Sequence, residues 1–309
     1  MQPEAGAPHL GWNVVRDVEA VVEFHFMVNA LVAAAIVAVA AAVAGWLMVL
    51  RRESFAGHTL SMMAFPGASA AALAGVASAW GYLGFCVAAA LAIAAIGARP
   101  GSWREEPAGI GVIQAAALAA GFLFVSLYGG VLGDLDNLLF GNLLGISDGQ
   151  VLLLAVVAVT VLAALAAIGR PLALASVDAE LARTRGVPVT ALSAAYLVVL
   201  ALAVAVTSRI TGPLLVFALL VVPAACAQTL TSRPALSLAL SVAIGLAVAW
   251  VGLGISYFSS YPSGFFIATF AFAAYVLVRG SARVRVAVSA RAHDAGRGAG
   301  GLAGDGASA

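Results

Sequence analysis

The chain has 309 residues, of which 63% are hydrophobic and 9% are charged, and its formal net charge is +1. Soluble domains carry about 25% charged residues, so this composition excludes a water-soluble globule and predicts an all-α, polytopic membrane protein. The near-neutral charge gives no reason to expect nucleic-acid binding. Cys86 and Cys226 lie in separate apolar segments, so packing roles are expected rather than a disulfide or a zinc pair.

The apolar segments predict about nine transmembrane helices, with eight as the alternative. Residues 1–26 are polar, lack the basic region that opens a signal peptide, and are expected to lie outside the cell membrane. Residues 27–279 form the transmembrane domain, and the Gly- and Ala-rich residues 280–309 are expected to be a disordered cytoplasmic tail. The predicted spans are 27–50, 58–77, 80–97, 108–128, 151–169, 189–208, 212–230, 234–254 and 265–278.

Two of the predicted spans contain helix breakers. The second is expected to break at Pro66 and Gly67, and the seventh to kink at Pro223, because proline removes a helical hydrogen bond. Residues 129–150 are too polar to cross the membrane easily and are interpreted as short helices at its surface.

The basic residues predict the orientation, since cytoplasmic loops carry an excess of arginine and lysine. With nine spans and an external N-terminus, all of the 15 arginines except Arg16 and Arg209 fall on the cytoplasmic side. No acidic residue falls in the middle of a predicted span, where ion-coupled carriers usually place one. The chain has no lysine and so no P-loop; it is not expected to be an enzyme, and any ATP hydrolysis would belong to a separate subunit.

One segment, RRESFAGHTLSMMAFPG, places polar side chains in an apolar span. His58 and Met62 lie four residues apart and share one helix face, so an imidazole and a thioether form half of a soft-to-borderline metal site. The alternative is that His58 hydrogen-bonds a neighbouring helix and Met62 packs. Three further residues are candidates for the same path: Thr59, Ser61 and Met63.

The longest internal polar loop, residues 170–188, contains a predicted short helix. Asp178 is expected to cap its N-terminus, Glu180 to lie near the positive end of its dipole, and Gly186 to end it. Such a helix, with Arg183 facing the cytoplasm, suits docking into a cleft on an ATPase. The alternative is an ordinary solvated loop.

Four acidic or imidazole side chains are candidates for an outer funnel that attracts a cation or contacts a delivering protein. They are Glu23, His25, Asp134 and Asp136. The alternative for each is a solvated position at a helix end.

Four stretches, in this order and spacing, resemble a known family. They are NALVAAAIVAVAAAVAGWLMVLRRESFAGHTLSMMAFPG, LLFGNLLGIS, SVDAELARTRGVP and TGPLLVFALLVVPAACA. Together they are similar to the permease subunit of bacterial ABC importers for divalent metals, the zinc/manganese or ABC-3 group. The resemblance implies a type II ABC importer-like fold and a homodimer with a metal path between protomers. It also implies cytoplasmic ATPase subunits and an extracytoplasmic metal-binding protein.

The resemblance includes one departure that bears on the metal. Many family members carry Asp and His where this chain has His58 and Met62. Loss of the carboxylate argues against manganese, which favours oxygen ligands, so zinc is the first choice, with manganese or another metal as alternatives. No permanently bound cofactor is expected. The competing functions are a cobalamin- or siderophore-type ABC permease, a secondary carrier that works without ATP, and a non-transporting membrane scaffold.

Overall fold

The computed structural model describes residues 23–98, 106–128, 145–259 and 261–301. Over these residues the secondary structure is helical, with no strand, which confirms the predicted all-α class. The helices are α1 (His25–Leu50), α2 (Ser54–Met62), α3 (Ala64–Ala74), α4 (Ser78–Gly97), α5 (Glu106–Tyr128), α6 (Asp148–Val177), α7 (Ala179–Thr184), α8 (Val189–Thr211), α9 (Pro213–Leu230), α10 (Pro234–Tyr257) and α11 (Ser263–Gly301).

Seven of the described helices are long and apolar enough to cross a membrane by themselves: α1, α4, α5, α6, α8, α10 and α11. Helix α9 is apolar but shorter, and α2 and α3 each have too few residues to cross alone. Counting α9 as one span and the α2–α3 pair as another gives about nine spans within the described part of the chain, in agreement with the prediction.

The break in the second span lies earlier than the sequence predicts. Helix α2 ends at Met62 and α3 begins at Ala64, so Pro66 and Gly67 lie in the first turn or so of α3 rather than at the break. Proline removes its own N–H and crowds the carbonyl four residues before it. The helix therefore breaks at Met63, and Pro66 occupies an early position where its missing donor costs little.

Helices α6 and α9 run parallel to α1. His25 at the start of α1 pairs with Asp148 at the start of α6, at 3.0 Å between Nε2 and Oδ1. Near the other end, the Gln228 side chain of α9 donates to the backbone oxygen of Trp46 at 2.8 Å. We call the two ends of the bundle the His25 end and the Arg51 end.

Helices α8 and α10 run antiparallel to α1. Tyr196, early in α8, donates its hydroxyl proton to the Ala44 carbonyl near the end of α1 at 2.9 Å. Trp250, late in α10, donates its indole N–H to the Leu31 carbonyl near the start of α1 at 3.2 Å. In a nine-span chain, α1, α6, α8, α9 and α10 are spans one, five, six, seven and eight. Odd-numbered spans run in one direction and even-numbered spans in the other, which agrees with the observed directions.

The α2–α3 pair behaves as one broken crossing. Thr59 of α2 contacts Gln114 of α5, and farther along both helices Pro66 meets Gly121, so the pair runs parallel to α5. Against α4 the pair runs antiparallel, because Leu60 of α2 accepts a hydrogen bond from Cys86 of α4, whereas Gly67, farther along the pair, meets Gly81, earlier in α4. Spans two, three and four of a nine-span chain have these relative directions.

Two helices extend beyond their predicted ends. Helix α6 continues through Pro171 to Val177, which shortens the predicted loop 170–188, because Leu172 and Ala175 are buried and packing holds the helix past the proline. Helix α11 continues to Gly301, so the backbone over 280–301 is helical where a disordered tail was predicted. The part over 281–295 is rich in alanine and arginine, which favour helices.

Pro223 lies inside α9, as predicted, and the helix continues through it to Leu230. A Cβ added at Gly245 of α10 would lie 3.5 Å from Cγ of Pro223, so the proline ring sits against this neighbouring helix. Residues 1–22 of the predicted N-terminal segment 1–26, and residues 129–144 of the predicted surface helices 129–150, lie outside the described residues.

Candidate translocation and coupling sites

Helix α2 is enclosed by the bundle, where it contacts α4, α5, α8 and α9. His58 is half-buried on this helix, and its ring meets the ring of Phe217 on α9 edge-on, with 4.6 Å between centroids. The Nδ1 atom of His58 is buried and makes no hydrogen bond to any described residue. A buried imidazole nitrogen of this kind retains its capacity to bind a ligand.

Met62 is the last residue of α2 and is also half-buried. It follows His58 by one helical turn, so the two side chains lie on the same face, as the sequence predicts. The backbone at Met63 keeps right-handed helical dihedral angles, with φ of −65° and ψ of −16°. The interruption after Met62 arises because Pro66 has no N–H to donate to the Met62 carbonyl, four residues before it.

The other three candidates on this segment are committed to contacts within the protein. Thr59 is fully buried and donates its hydroxyl proton to Oε1 of Gln114 at 2.8 Å. Ser61 is fully buried and donates to the Gly57 carbonyl at 3.1 Å, and Met63 packs in the hydrophobic core. Their contacts leave His58 and Met62 as the stronger path candidates.

Gln114 was missed by the sequence analysis. It lies in the first half of α5, in an otherwise apolar stretch, and its side-chain oxygen accepts the Thr59 hydrogen bond across the helix interface. A lone amide in an apolar span is the signal that would have identified it, since intramembrane polar groups usually have a partner.

The predicted short helix is present as α7, at the Arg51 end of the bundle. Asp178 caps it by accepting hydrogen bonds from the backbone N–H groups of Glu180, at 3.1 Å, and Leu181, at 2.9 Å. Gly186 ends it with φ of +78°, and its N–H donates to the Arg183 carbonyl at 2.9 Å. The capping role predicted for Asp178 is therefore confirmed.

Helix α7 presents its polar side chains to the outside. Asp178, Glu180 and Arg183 are exposed, whereas Ala182 is fully buried against the bundle. Leu181 adds an exposed apolar side chain between them. The helix is thus anchored on one side and free to contact a partner on the other.

At the His25 end, an exposed cluster joins α1 to α6. His25 and Asn29 both contact Oδ1 of Asp148, and the His25–Asp148 pair is exposed by 77% and 75%. Asp148 was not singled out from the sequence. Glu23 is exposed nearby in the chain, and Asp134 and Asp136 lie outside the described residues.

The described part of one chain does not contain a complete metal site. No group of three or more His, Cys, Asp or Glu side chains is close enough to hold an ion among these residues. Cys86 and Cys226 are buried and unpaired, which agrees with the packing roles predicted for them. An ion that passes α2 would therefore meet at most two candidate donor side chains from one chain, those of His58 and Met62.

Comparisons with known proteins identify the family. The family model described as the ABC 3 transport family matches residues 23–280. The manganese import system permease protein ScaB of Streptococcus parasanguinis is 29% identical over 244 residues, which cover 79% of this chain and 86% of ScaB. The manganese transport system membrane protein MntC of Halalkalibacterium halodurans is 28% identical over 253 residues, covering 82% and 86%.

A solved structure shows the same fold. PsaBC from Streptococcus pneumoniae, in complex with Fab, contains a chain that superposes with a TM-score of 0.74 at 27% sequence identity. The superposition covers 86% of this chain and 95% of that one. The family match, the sequence relatives and the shared fold together show that this chain belongs to the ABC 3 transport family of membrane permeases.

Proposed function

We propose that the protein is the permease subunit of an ATP-driven importer for a divalent metal ion, and that the ion passes the face of α2 that carries His58 and Met62. The observation that carries the proposal is the half-buried imidazole with an unbonded Nδ1, one turn from a thioether, on a broken span inside the bundle. Both groups are metal ligands, and Pro66 leaves the Met62 carbonyl oxygen beside them without its usual helical donor.

The remaining parts of the proposed importer come from other chains. Two donors are too few to hold an ion, so a second copy of this chain would supply a second pair across a homodimer path. The exposed helix α7 would dock with a cytoplasmic ATPase subunit, and the His25 end would receive the ion from an extracytoplasmic metal-binding protein. In this assembly the N-terminus lies outside and the C-terminus in the cytoplasm.

The identity of the transported metal is the more specific part of the proposal. An imidazole and a thioether suit zinc better than manganese, which favours carboxylate and other oxygen ligands. The names of ScaB and MntC, in contrast, favour manganese as the second candidate. We propose zinc on the donor set of this chain, and a competition experiment separates the two ions.

The test is uptake into vesicles that contain the purified permease with its ATPase subunits and binding protein. ATP-dependent accumulation of zinc, reduced by competing manganese only at high excess, is the expected result. Accumulation of either metal by the permease without ATPase subunits would favour a secondary carrier. ATP-driven uptake of cobalamin or a siderophore, without metal uptake, would favour the related permease class.

A double variant tests whether α2 selects the metal. His58→Asp combined with Met62→His restores the pair that many family members carry. Because manganese favours oxygen ligands, the variant is expected to raise manganese uptake relative to zinc. An unchanged ratio would place metal selection elsewhere in the importer.

A further inference from the structure

The turn between α1 and α2 holds a buried ion pair that the proposed function does not use. Arg51 follows the last residue of α1, and Glu53 precedes the first residue of α2. Nη2 of Arg51 lies 2.6 Å from Oε1 of Glu53, and the two side chains are only 8% and 18% exposed. Between them Arg52 has φ of +61°, so the turn is tight and its backbone is unusual for a residue other than glycine.

The same guanidinium reaches two other helices. Nη2 donates to Oγ of Ser193 on α8 at 2.6 Å, and Nη1 donates to Oγ of Ser176 on α6 at 3.5 Å. The guanidinium also lies over the ring of Tyr196 on α8, 5.4 Å from its centroid. We call Arg51, Glu53, Ser176, Ser193 and Tyr196 the Arg51 cluster.

The positions of these residues along the chain connect the two proposed sites. Ser176 lies in the last turn of α6, two residues before the cap of α7, and Ser193 lies in the first two turns of α8, just after α7. Glu53 lies at the start of α2, five residues before His58. The Arg51 side chain therefore contacts α6 and α8, the two helices that flank α7. It also contacts Glu53, which immediately precedes α2, the helix that carries His58.

The cluster is poorly explained as a device for stability alone. Nε of Arg51 and Oε2 of Glu53 are buried and have no hydrogen-bond partner among the described residues. A buried ion pair costs desolvation energy that only complete hydrogen bonding repays, and apolar replacements are often as stable. A pair with unused donors and acceptors also has the means to form a second set of hydrogen bonds when the helices move.

We propose that Arg51 and Glu53 are positioning residues that transmit movement of α7 to α2, and so tie ATP hydrolysis to passage of the ion at His58. When α6 and α8 shift with α7, the guanidinium shifts with Ser176 and Ser193 and carries Glu53 and the start of α2 with it. This inference rests on the proposed docking of an ATPase at α7 and goes beyond it, because it assigns the route between the two sites.

The experiment measures metal ions accumulated per ATP hydrolysed by the complete importer in vesicles. Ser193→Ala removes one hydrogen bond of the cluster, and Glu53→Gln removes the ion pair. The matched control is Ser237→Ala, which removes another interhelical hydrogen bond to a serine, from the indole of Trp46 at 3.0 Å, on helix α10, which does not flank α7. Zinc and manganese are each used as the transported ion.

The number of ions accumulated per ATP is expected to fall about fivefold or more in both cluster variants. Loss of one hydrogen bond typically changes an equilibrium constant by about this factor. The control is expected to keep the wild-type ratio. Misfolded molecules lose uptake and hydrolysis together, so the ratio reports on coupling rather than on folding. A wild-type ratio in Ser193→Ala and Glu53→Gln, or an equal fall in Ser237→Ala, would overturn the inference. Absence of ATP-driven uptake by the wild-type importer would overturn the proposed function itself, and the inference with it.

Discussion

Gly67 on α3 and Gly81 on α4 bring the backbones of their helices into direct contact. A Cβ added at Gly81 would overlap the carbonyl oxygen of Gly67, and a Cβ at Gly67 would meet the carbonyl of Gly81 at 2.5 Å. Small residues permit this close approach between membrane helices, where van der Waals packing replaces the hydrophobic effect as the main source of association.

Replacing Gly81 with alanine is therefore expected to destabilise the bundle by about 1–3 kcal/mol, the usual cost of overpacking. Gly84→Ala is the matched control, because it lies on the same helix and a Cβ there has no atom within 4 Å. Thermal unfolding in detergent measures both. Equal unfolding temperatures for the two variants would show that α3 and α4 separate easily at this crossing.

Replacing His58 with alanine removes the imidazole and is expected to lower ATP-driven metal uptake by at least about tenfold. Loss of a group that only orients a metal ligand already lowers metal affinity by about this factor. Ser69→Ala is the control, since its buried hydroxyl bonds only to carbonyls of its own helix, at Phe65 and Pro66. Uptake and protein yield are measured together. Wild-type uptake by His58→Ala would instead assign His58 a packing role against Phe217.

Gly186→Val is expected to abolish uptake with little change in protein yield. Its φ of +78° lies in the left-handed region, where a β-branched residue is strained, so the end of α7 would rearrange. Gly75→Val is the control, since Gly75 has φ of +68° at the end of α3, away from α7. Capture of the ATPase subunit by the purified permease measures the effect, and equal capture by both variants would argue against docking at α7.

Single reporter cysteines at positions 10 and 180 test the orientation. With Cys86 and Cys226 replaced by alanine, a membrane-impermeant thiol reagent applied to intact cells is expected to label position 10 but not position 180. The native cysteines are buried, so little background is expected even before their replacement. Labelling in the reverse pattern would place α7 outside the cell and exclude docking with a cytoplasmic ATPase.

The sequence predicted the features that depend on local chemistry. Long apolar runs specified the spans, and the Asp178 cap followed from an acidic residue placed before a short amphipathic stretch. The break in the second span was displaced from Pro66 to Met63, because proline acts on the turn before it. The end of α6 was misplaced because Arg170 and Pro171 were interpreted as a stop, whereas burial of Leu172 holds the helix together.

The contacts between helices were beyond prediction from one sequence. Thr59 and Gln114 are 55 residues apart, and Arg51 and Ser193 are 142 residues apart. Each of these side chains is ordinary in its local context, and only the packing of the bundle selects its partner. The isolation of His58 in an apolar span suggested the path role that we propose for it, whereas its contact with Phe217 could be known only from the structure.

Helix α1 is held by polar side chains that belong to its neighbours. The carbonyl oxygens that accept these hydrogen bonds belong to Leu31, Ala42, Ala44 and Trp46, and the donors are Trp250, Ser241, Tyr196 and Gln228 in that order. Because every residue type presents the same backbone oxygen, an alanine scan of α1 would leave all four hydrogen bonds in place. The contribution of these four hydrogen bonds to the bundle would be visible only in substitutions made on the surrounding helices.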